Sequence, residues 1–436
     1  MSARVGTSSR KPVSLNLNVR GMSPSATLAI KARCRALCAE GREVFDFGLG
    51  QSPFPVPRPV VAALREHAAE KDYLPVEGLP ALREAVAGFH RRSDRIDIQP
   101  DSVLVGPGSK ELMFLLQLVF YGEIILRSPC WVSYLPQAQI IGRRISLIHT
   151  AFKDGWKITP ALLHDSLRLA RDDHRPRVLI MNYPSNPTGH AYSSDELEAV
   201  AEVARAFEMI VLSDEIYGRL RYDGAHESIA RHYPERTIVS SGLSKWCGAG
   251  GWRLGTFSFP PELAWLRDAM AAVASETYTS VSAPIQYAAV TAFSANAEID
   301  EYLGHARRVL AAVAARAVGI LRAAGIQVHM PSGAFYLFLD FSPLAGRLAE
   351  RGIHTSVALC ERLLLDTGVA ILPGAPFGRP AAELSARLSF VDFDGGLALE
   401  RSLARAGEPD GAERVVAEVC ARLVRGIEAL GDWAKV

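Results

Sequence analysis

Between about Val60 and Phe259 the chain alternates short runs of β-branched and aliphatic residues with stretches whose apolar positions recur at helical spacing. The strand candidates are Val103-Leu104-Val105, Ile124-Ile125-Leu126, Val178-Leu179-Ile180-Met181, Ile210-Val211-Leu212 and Thr237-Ile238-Val239. Helices fit between several of them. Ser194-Asp195-Glu196-Leu197 opens one with a capping pattern, and Leu197, Val200, Ala201, Ala204 and Phe207 follow at helical spacing. Alternation of this kind predicts an α/β unit on a mainly parallel sheet.

From about Asp300 the texture changes. An Ala/Arg-rich helix gives way to Gly333-Ala334-Phe335-Tyr336-Leu337-Phe338-Leu339, a predicted strand, then to further helix and strand and a last helix from Gly411. The pattern predicts a large domain over residues 60–299 and a smaller α+β domain over residues 300–436. Pro24 to Glu40 reads as a helix capped by Ser23 or Ser25 and is expected to pack with the C-terminal unit. Residues 21–59 would then be an N-terminal arm and part of the small domain, and residues 1–20 an extension.

Composition changes this picture little. A length of 436 residues allows roughly two or three domains, and 49% hydrophobic with 22% charged residues is the balance of a folded globular chain. Lys plus Arg number 48 against 47 acidic residues, so no long-range field favours nucleic acid or an anionic membrane. The longest apolar runs, Leu112 to Phe120 and Val309 to Ile320, are too short or too interrupted to span a bilayer. Cys34, Cys38, Cys130, Cys247, Cys360 and Cys420 form no CxxC pair and have no histidine at zinc spacing, which points to reduced thiols in the cytoplasm rather than disulfides or a metal. No Asp or Glu precedes Glu40, a bias that transit peptides share; residues 1–14 nevertheless lack an apolar stripe, which favours a disordered extension.

Ligands of open parallel sheets bind beyond the carboxyl ends of the strands, and there the chemically distinctive residues fall. Gly108-Ser109-Lys110 follows the first candidate strand, Asn182 to Gly189 the third, Asp214 the fourth and Lys245 the last. Val105-Gly106-Pro107-Gly108-Ser109-Lys110 reads as strand, Gly-rich turn and helix start, either an anion cradle of free N–H groups or an ordinary turn. Ser240-Ser241-Gly242-Leu243-Ser244-Lys245, followed by Gly250-Gly251-Trp252-Arg253, adds a lysine and an arginine, the latter a fit partner for phosphate.

Asn186-Pro187-Thr188-Gly189, Ser213-Asp214-Glu215-Ile216-Tyr217 and the Ser-Lys…Gly-Trp-Arg-Leu-Gly run together resemble class I/II aminotransferases of pyridoxal-phosphate (PLP) fold type I. Tyr73 to Arg83, Pro129 to Tyr134 and Ala386-Arg387-Leu388 add to the likeness, which runs from about Arg20 to the C-terminus. The resemblance implies a large domain with a mainly parallel seven-stranded sheet, a smaller α+β domain, and transfer of the amino group of an L-amino acid to a 2-oxo acid. Carried over residue by residue, it implies a Schiff base between pyridoxal 5′-phosphate and Lys245, with Asp214 on the ring nitrogen, Asn186 and Tyr217 on the ring oxygen and Trp131 stacked on the ring face. Gly108, Ser109, Lys110, Ser244 and Arg253 would form the phosphate cup, Ser241 standing as a substitute for Ser244. Arg387 and the backbone of Gly50 would hold the substrate α-carboxylate, and Tyr73 would reach the phosphate of a neighbouring subunit in a homodimer.

The donor is not legible. No Lys or Arg occurs between Asp268 and Arg307, where related enzymes for dicarboxylic acids commonly carry a second arginine, so aspartate and glutamate are not expected as preferred donors by that route, and Glu276 there would suit a basic substrate. A lyase or cyclase on the same scaffold is the alternative reading, and a PLP-binding regulator without turnover a further one.

Overall fold

The computed structural model describes residues 14–22, 25–169 and 175–436. A two-residue strand, β1 (Phe45–Asp46), comes first in the chain but joins a sheet completed near the C-terminus. The large sheet follows: β2 (Val103–Gly106), β3 (Glu123–Ser128), β4 (Arg144–His149), β5 (Arg177–Asn182), β6 (Ile210–Asp214), β7 (Thr237–Gly242) and β8 (Gly255–Ser258). Their order in space is β2-β8-β7-β6-β5-β3-β4, with β8 alone antiparallel to its neighbours.

Helices cover both faces, which is why the central strands read as unbroken apolar runs. Successive residues of one strand point to opposite sides. Thus Ile180 and Leu212 pack with Leu112, Met113 and Leu116 of helix Ser109–Val119 and Met270 of helix Ala264–Thr277. Their chain neighbours Leu179, Met181 and Val211 pack with Leu163 of helix Pro160–Arg168 and Leu197, Val200 and Ala204 of helix Ser194–Ala206. Each such buried aliphatic side chain contributes about 1.5–3 kcal/mol over an exposed one, so a one-residue slip of β5 or β6 would exchange the two sets and is strongly disfavoured.

The five strand candidates all lie within β2, β3, β5, β6 and β7, while β4 and β8 were not foreseen. β4 is an edge strand with Arg144 and His149 exposed, so it lacks the buried run. β8, Gly-Thr-Phe-Ser, offers one large apolar residue and is held by two partners. The helix expected to open at Ser194 does so, but its cap is Ser193, whose hydroxyl accepts from Glu196 N while Glu196 returns a bond to Ser193 N.

The helix expected over Pro24 to Glu40 spans Ala26–Ala39. Ser25 stands at its N-cap without a side-chain capping bond; Ser23, Pro24 and residues 1–13 of the expected extension lie outside the described residues. Cys34 and Leu37 pack with Val44, Leu364 and Ala370, so this helix does rest on the C-terminal part of the chain. There β9 (Tyr336–Asp340), β11 (Leu372–Pro373) and β12 (Ser385–Ser389) form an antiparallel sheet in the order β11-β12-β9, and β10 (Val369–Ala370) pairs in parallel with β1. Helix Ala297–Ala323 leads into this region, and the expected last helix is two, Gly411–Val419 and Ala421–Lys435. Among the described residues no helix is long and apolar enough to cross a membrane.

Candidate functional site

The carboxyl ends of β5, β6 and β7 and the turn after β2 open on one cavity of about 410 Å³. Helix Ser109–Val119 points its N-terminus at it, so the first N–H groups, at Ser109 and Lys110, have no partner within the helix. Gly108, its N-cap, has φ +92, and a Cβ there would strike the guanidinium of Arg253. Glycine is thus favoured by conformation, and any side chain would displace the Arg253 guanidinium. Arg253 arrives from the other side of the loop that follows β7 and donates from Nη1 to Gly250 O (2.9 Å) and from Nη2 to Pro107 O (3.2 Å). Ser109, Lys110, Ser244 and Arg253 all line the cavity; Ser241, the substitute considered for Ser244, is buried in β7 and does not.

Lys245 and Asp214 line the same cavity from neighbouring strand ends. The Lys245 amine donates to Gly50 O at 2.8 Å and lies 5.5 Å from the ring centre of Tyr217. Burial, then the charge of Arg387, brings its pKa down to about 8; Asp214 opposes this, and Arg253 and Lys110 reinforce it. Asp214 is buried, and burial pushes its carboxyl up to about 6 although the Tyr134 hydroxyl donates to Oδ2 at 2.6 Å. The Ile216 N–H also lies within reach of the carboxyl and lowers its pKa, while Oδ1 is buried without a well-aligned hydrogen bond among the described residues. A buried acceptor without a full hydrogen bond is costly unless something else completes it.

Asn186, Tyr217 and Trp131 complete the lining. Asn186 accepts from Arg387 Nη1 at 3.1 Å, Tyr217 shares a hydrogen bond of 2.8 Å with Tyr336, and Trp131 lies edge-on to Tyr134 with the Lys110 ammonium 5.1 Å from its ring centre. Arg387, on β12, is 2% exposed, stacks beneath Tyr336 and beside Phe377, and also donates to Gly48 O. It is joined to the cavity lining through its bond to Asn186. Tyr73 is the residue that the single chain does not bring here: it is 88% exposed. Glu276 and the rest of the stretch 275–281 also stand outside the cavity lining.

Three members escaped the sequence reading. Tyr134 holds Asp214, Asn182 donates to Asp214 O and accepts from Asn186 N, and Tyr336 covers Arg387. Asn182 at a strand end and Tyr134 beside Trp131 stood in flagged stretches, but only the fold gives them partners.

A lysine of depressed pKa, a buried carboxylate, a helix N-terminus and an arginine around one cavity are the donor set that pyridoxal 5′-phosphate requires: an amine, a partner for the ring nitrogen and a phosphate cradle. The residues fit the group, and the fold and site define a PLP-dependent enzyme of amino-group transfer. The family described as aminotransferase class I and II matches residues 42–392, and the chain belongs to it. The aspartate/prephenate aminotransferase of Thermus thermophilus is 33% identical over 394 residues, 89% of this chain and 97% of the relative. An asparagine--oxo-acid transaminase of Streptococcus mutans is 32% identical, over 86% of this chain and 94% of the relative. The solved aspartate aminotransferase of Thermus thermophilus with maleate superposes with a TM-score of 0.79 at 31% identity, over 92% of this chain and 99% of that one.

Proposed function

We propose that Lys245 carries the cofactor covalently and moves the proton of the donor's Cα, and that Asp214 holds the ring nitrogen. The observation that carries this is the pairing of the two at neighbouring strand ends around one cavity, the amine's pKa brought down and the carboxylate buried. Bound there, pyridoxal phosphate supplies the sink for the electrons that Cα–H cleavage releases. A pKa of about 8 leaves Lys245 Nζ partly neutral near pH 7, available as nucleophile and base. Tyr134 fixes one oxygen of Asp214 and so aims the other. Gly108, Ser109, Ser244, Arg253 and the Lys110 N–H hold the phosphate, Trp131 stacks on the ring, and Asn186 with Tyr217 meets its oxygen. Arg387 and the backbone of Gly50 take the substrate α-carboxylate.

The relatives named for aspartate favour a dicarboxylic donor, although the stretch from Asp268 to Arg307 supplies no cation. In this chain Lys110 lines the cavity with its ammonium 5.1 Å from the Trp131 ring centre, and burial followed by the nearby charge of Arg253 lowers its pKa. We assign the donor's side-chain carboxylate to it. Tyr73, exposed in one chain, completes the phosphate cup of a second copy in a homodimer, and the six unpaired cysteines suit a cytoplasmic setting. Borohydride reduction of the purified, cofactor-loaded protein followed by digestion should leave the label on Lys245, with aspartate and a 2-oxo acid giving the exchanged pair as products; label on another residue overturns the assignment.

A further inference from the structure

Tyr336, the first residue of β9, is buried and takes no part in the cavity lining, yet three parts of the site meet on its side chain. Its hydroxyl lies 2.8 Å from that of Tyr217 and 3.4 Å from the carbonyl oxygen of Gly50, the same oxygen that receives the Lys245 amine. Its ring meets that of Tyr217 edge-on and carries the Arg387 guanidinium 4.8 Å from its centre. The packing leaves no room for a side chain at Gly50, where a Cβ would overlap this hydroxyl. Tyr217 stands just after β6, Gly50 just after β1 and Arg387 on β12, so one side chain of β9 joins elements that are far apart in the chain.

Burial raises both phenols above their ordinary pKa, so each keeps its one hydrogen near neutral pH. A phenol gives that hydrogen to one partner and accepts from another. Tyr336 has two acceptors within reach, Gly50 O and the Tyr217 oxygen. Tyr217 lines the cavity, and when its hydrogen goes to the cofactor's ring oxygen its own oxygen is left to accept. The hydrogen of Tyr336 then turns to Tyr217, and the two bonds run head to tail, each polarising the other.

We propose that Tyr336 is a positioning residue for Tyr217: cofactor binding sets the direction of their hydrogen bond, and the hydrogen given by Tyr336 makes Tyr217 a stronger donor to the ring oxygen. The contact of the Tyr336 ring with Arg387 is separate, and Tyr336→Phe leaves it in place. A donor at the ring oxygen steadies its negative charge and so lowers the hold of the adjoining Lys245 nitrogen on its proton. Weakening that donor raises the pH at which the proton leaves.

The proposal rests on the reading of Tyr217 as the donor to the ring oxygen, so Tyr217→Phe is measured beside it, in holoenzyme in which reduction has already mapped the cofactor to Lys245. The readout is the pH midpoint of the cofactor's visible absorbance, which follows the proton on the Lys245 nitrogen. The charges that face that nitrogen, Arg387, Asp214, Arg253 and Lys110, are retained in every variant. Tyr217→Phe should raise the midpoint by roughly 1–2 pH units, as expected for loss of a hydrogen bond to a charged oxygen. Tyr336→Phe should raise it by on the order of half a pH unit. The double variant should match Tyr217→Phe alone, because nothing remains for Tyr336 to act through. An unmoved midpoint in Tyr217→Phe removes the reading on which the proposal rests, and the proposal with it. A moved midpoint in Tyr217→Phe beside an unmoved one in Tyr336→Phe, or a Tyr336→Phe shift that persists in the double variant, overturns the positioning alone.

Discussion

Two buried carboxylates follow one another at the end of β6 and face two different regions. In front, Asp214 lines the large cavity, spends one oxygen on Tyr134 and leaves the other without a well-aligned hydrogen bond among the described residues. Behind, Glu215 has both oxygens engaged, Oε1 by Ser213, Tyr183 and Ser228 and Oε2 by His226. The same chemical group is thus unfinished on one side of the strand and complete on the other. A buried acceptor without a partner is tolerated where a ligand will complete it, and a completed one costs nothing further and holds the backbone in place.

The contrast should be widest in Asp214→Ala. Removing a charge placed where electron density arrives should lower kcat on the order of 10²–10³-fold, with the cofactor still attached through Lys245 and the phosphate cup. Asp214→Glu should lose less. Wild-type turnover in Asp214→Ala, with an unchanged isotope effect for the Cα hydrogen, would end the claim that the second oxygen serves the ring.

A second test reads the same oxygen through stability. The Asp214 carboxyl is held at about 6 in the folded protein against an ordinary value of 3.8. A carboxyl raised on folding contributes stability that is full below its unfolded pKa and is lost as pH rises through its folded one. Cofactor-free protein should therefore lose on the order of 3 kcal/mol relative to Asp214→Asn between about pH 4 and pH 7, as measured by urea unfolding. Parallel pH curves for the two proteins would mean that the carboxylate is not strained in the empty site.

For Glu215 the effect should appear in folding before chemistry. Glu215→Gln keeps the shape but gives up charge-assisted hydrogen bonds, a loss on the order of 1–3 kcal/mol in unfolding free energy. Its kcat should fall by less than that of Asp214→Ala. An equal fall with unchanged stability would erase the distinction between front and back. The smallest effect belongs to Lys110→Met, which should lower kcat/KM for aspartate about tenfold more than for alanine, as expected of one partly exposed charge contact; equal losses for both donors would leave the ammonium to the phosphate alone.

What the sequence disclosed follows from where physical constraint is local. Lys245 and Arg253 stood out as charges in a Gly-rich loop after a strand and Asp214 as a carboxylate at a strand end, their roles following from the resemblance, and Leu179 or Val211 were legible because burial on both faces leaves no polar position. β4 was hidden by its exposed edge, and β8 by having one large apolar side chain among four residues. Tyr134 lies 80 positions from the Asp214 it holds, Asn186 201 from Arg387, and Tyr336 119 from Tyr217. No periodicity carries such pairings. Ser193 rather than Ser194 caps its helix because the reciprocal bond with Glu196 requires a spacing of three residues, a local rule that the sequence contained.

The pairing of β1 with β10 bears on how the protein is made. Gly48 and Gly50, whose carbonyls receive Arg387 and Lys245, lie just past Phe45–Asp46, and that strand has no partner until Val369–Ala370 exist. On a ribosome the large sheet can form while β1 still waits for β10, because all seven of its strands precede residue 259. The amine of Lys245 therefore acquires its seat only near the end of synthesis. Closing so long a loop is a late and entropically costly step, and a chain released before β10 would possess the sheet without a finished pocket.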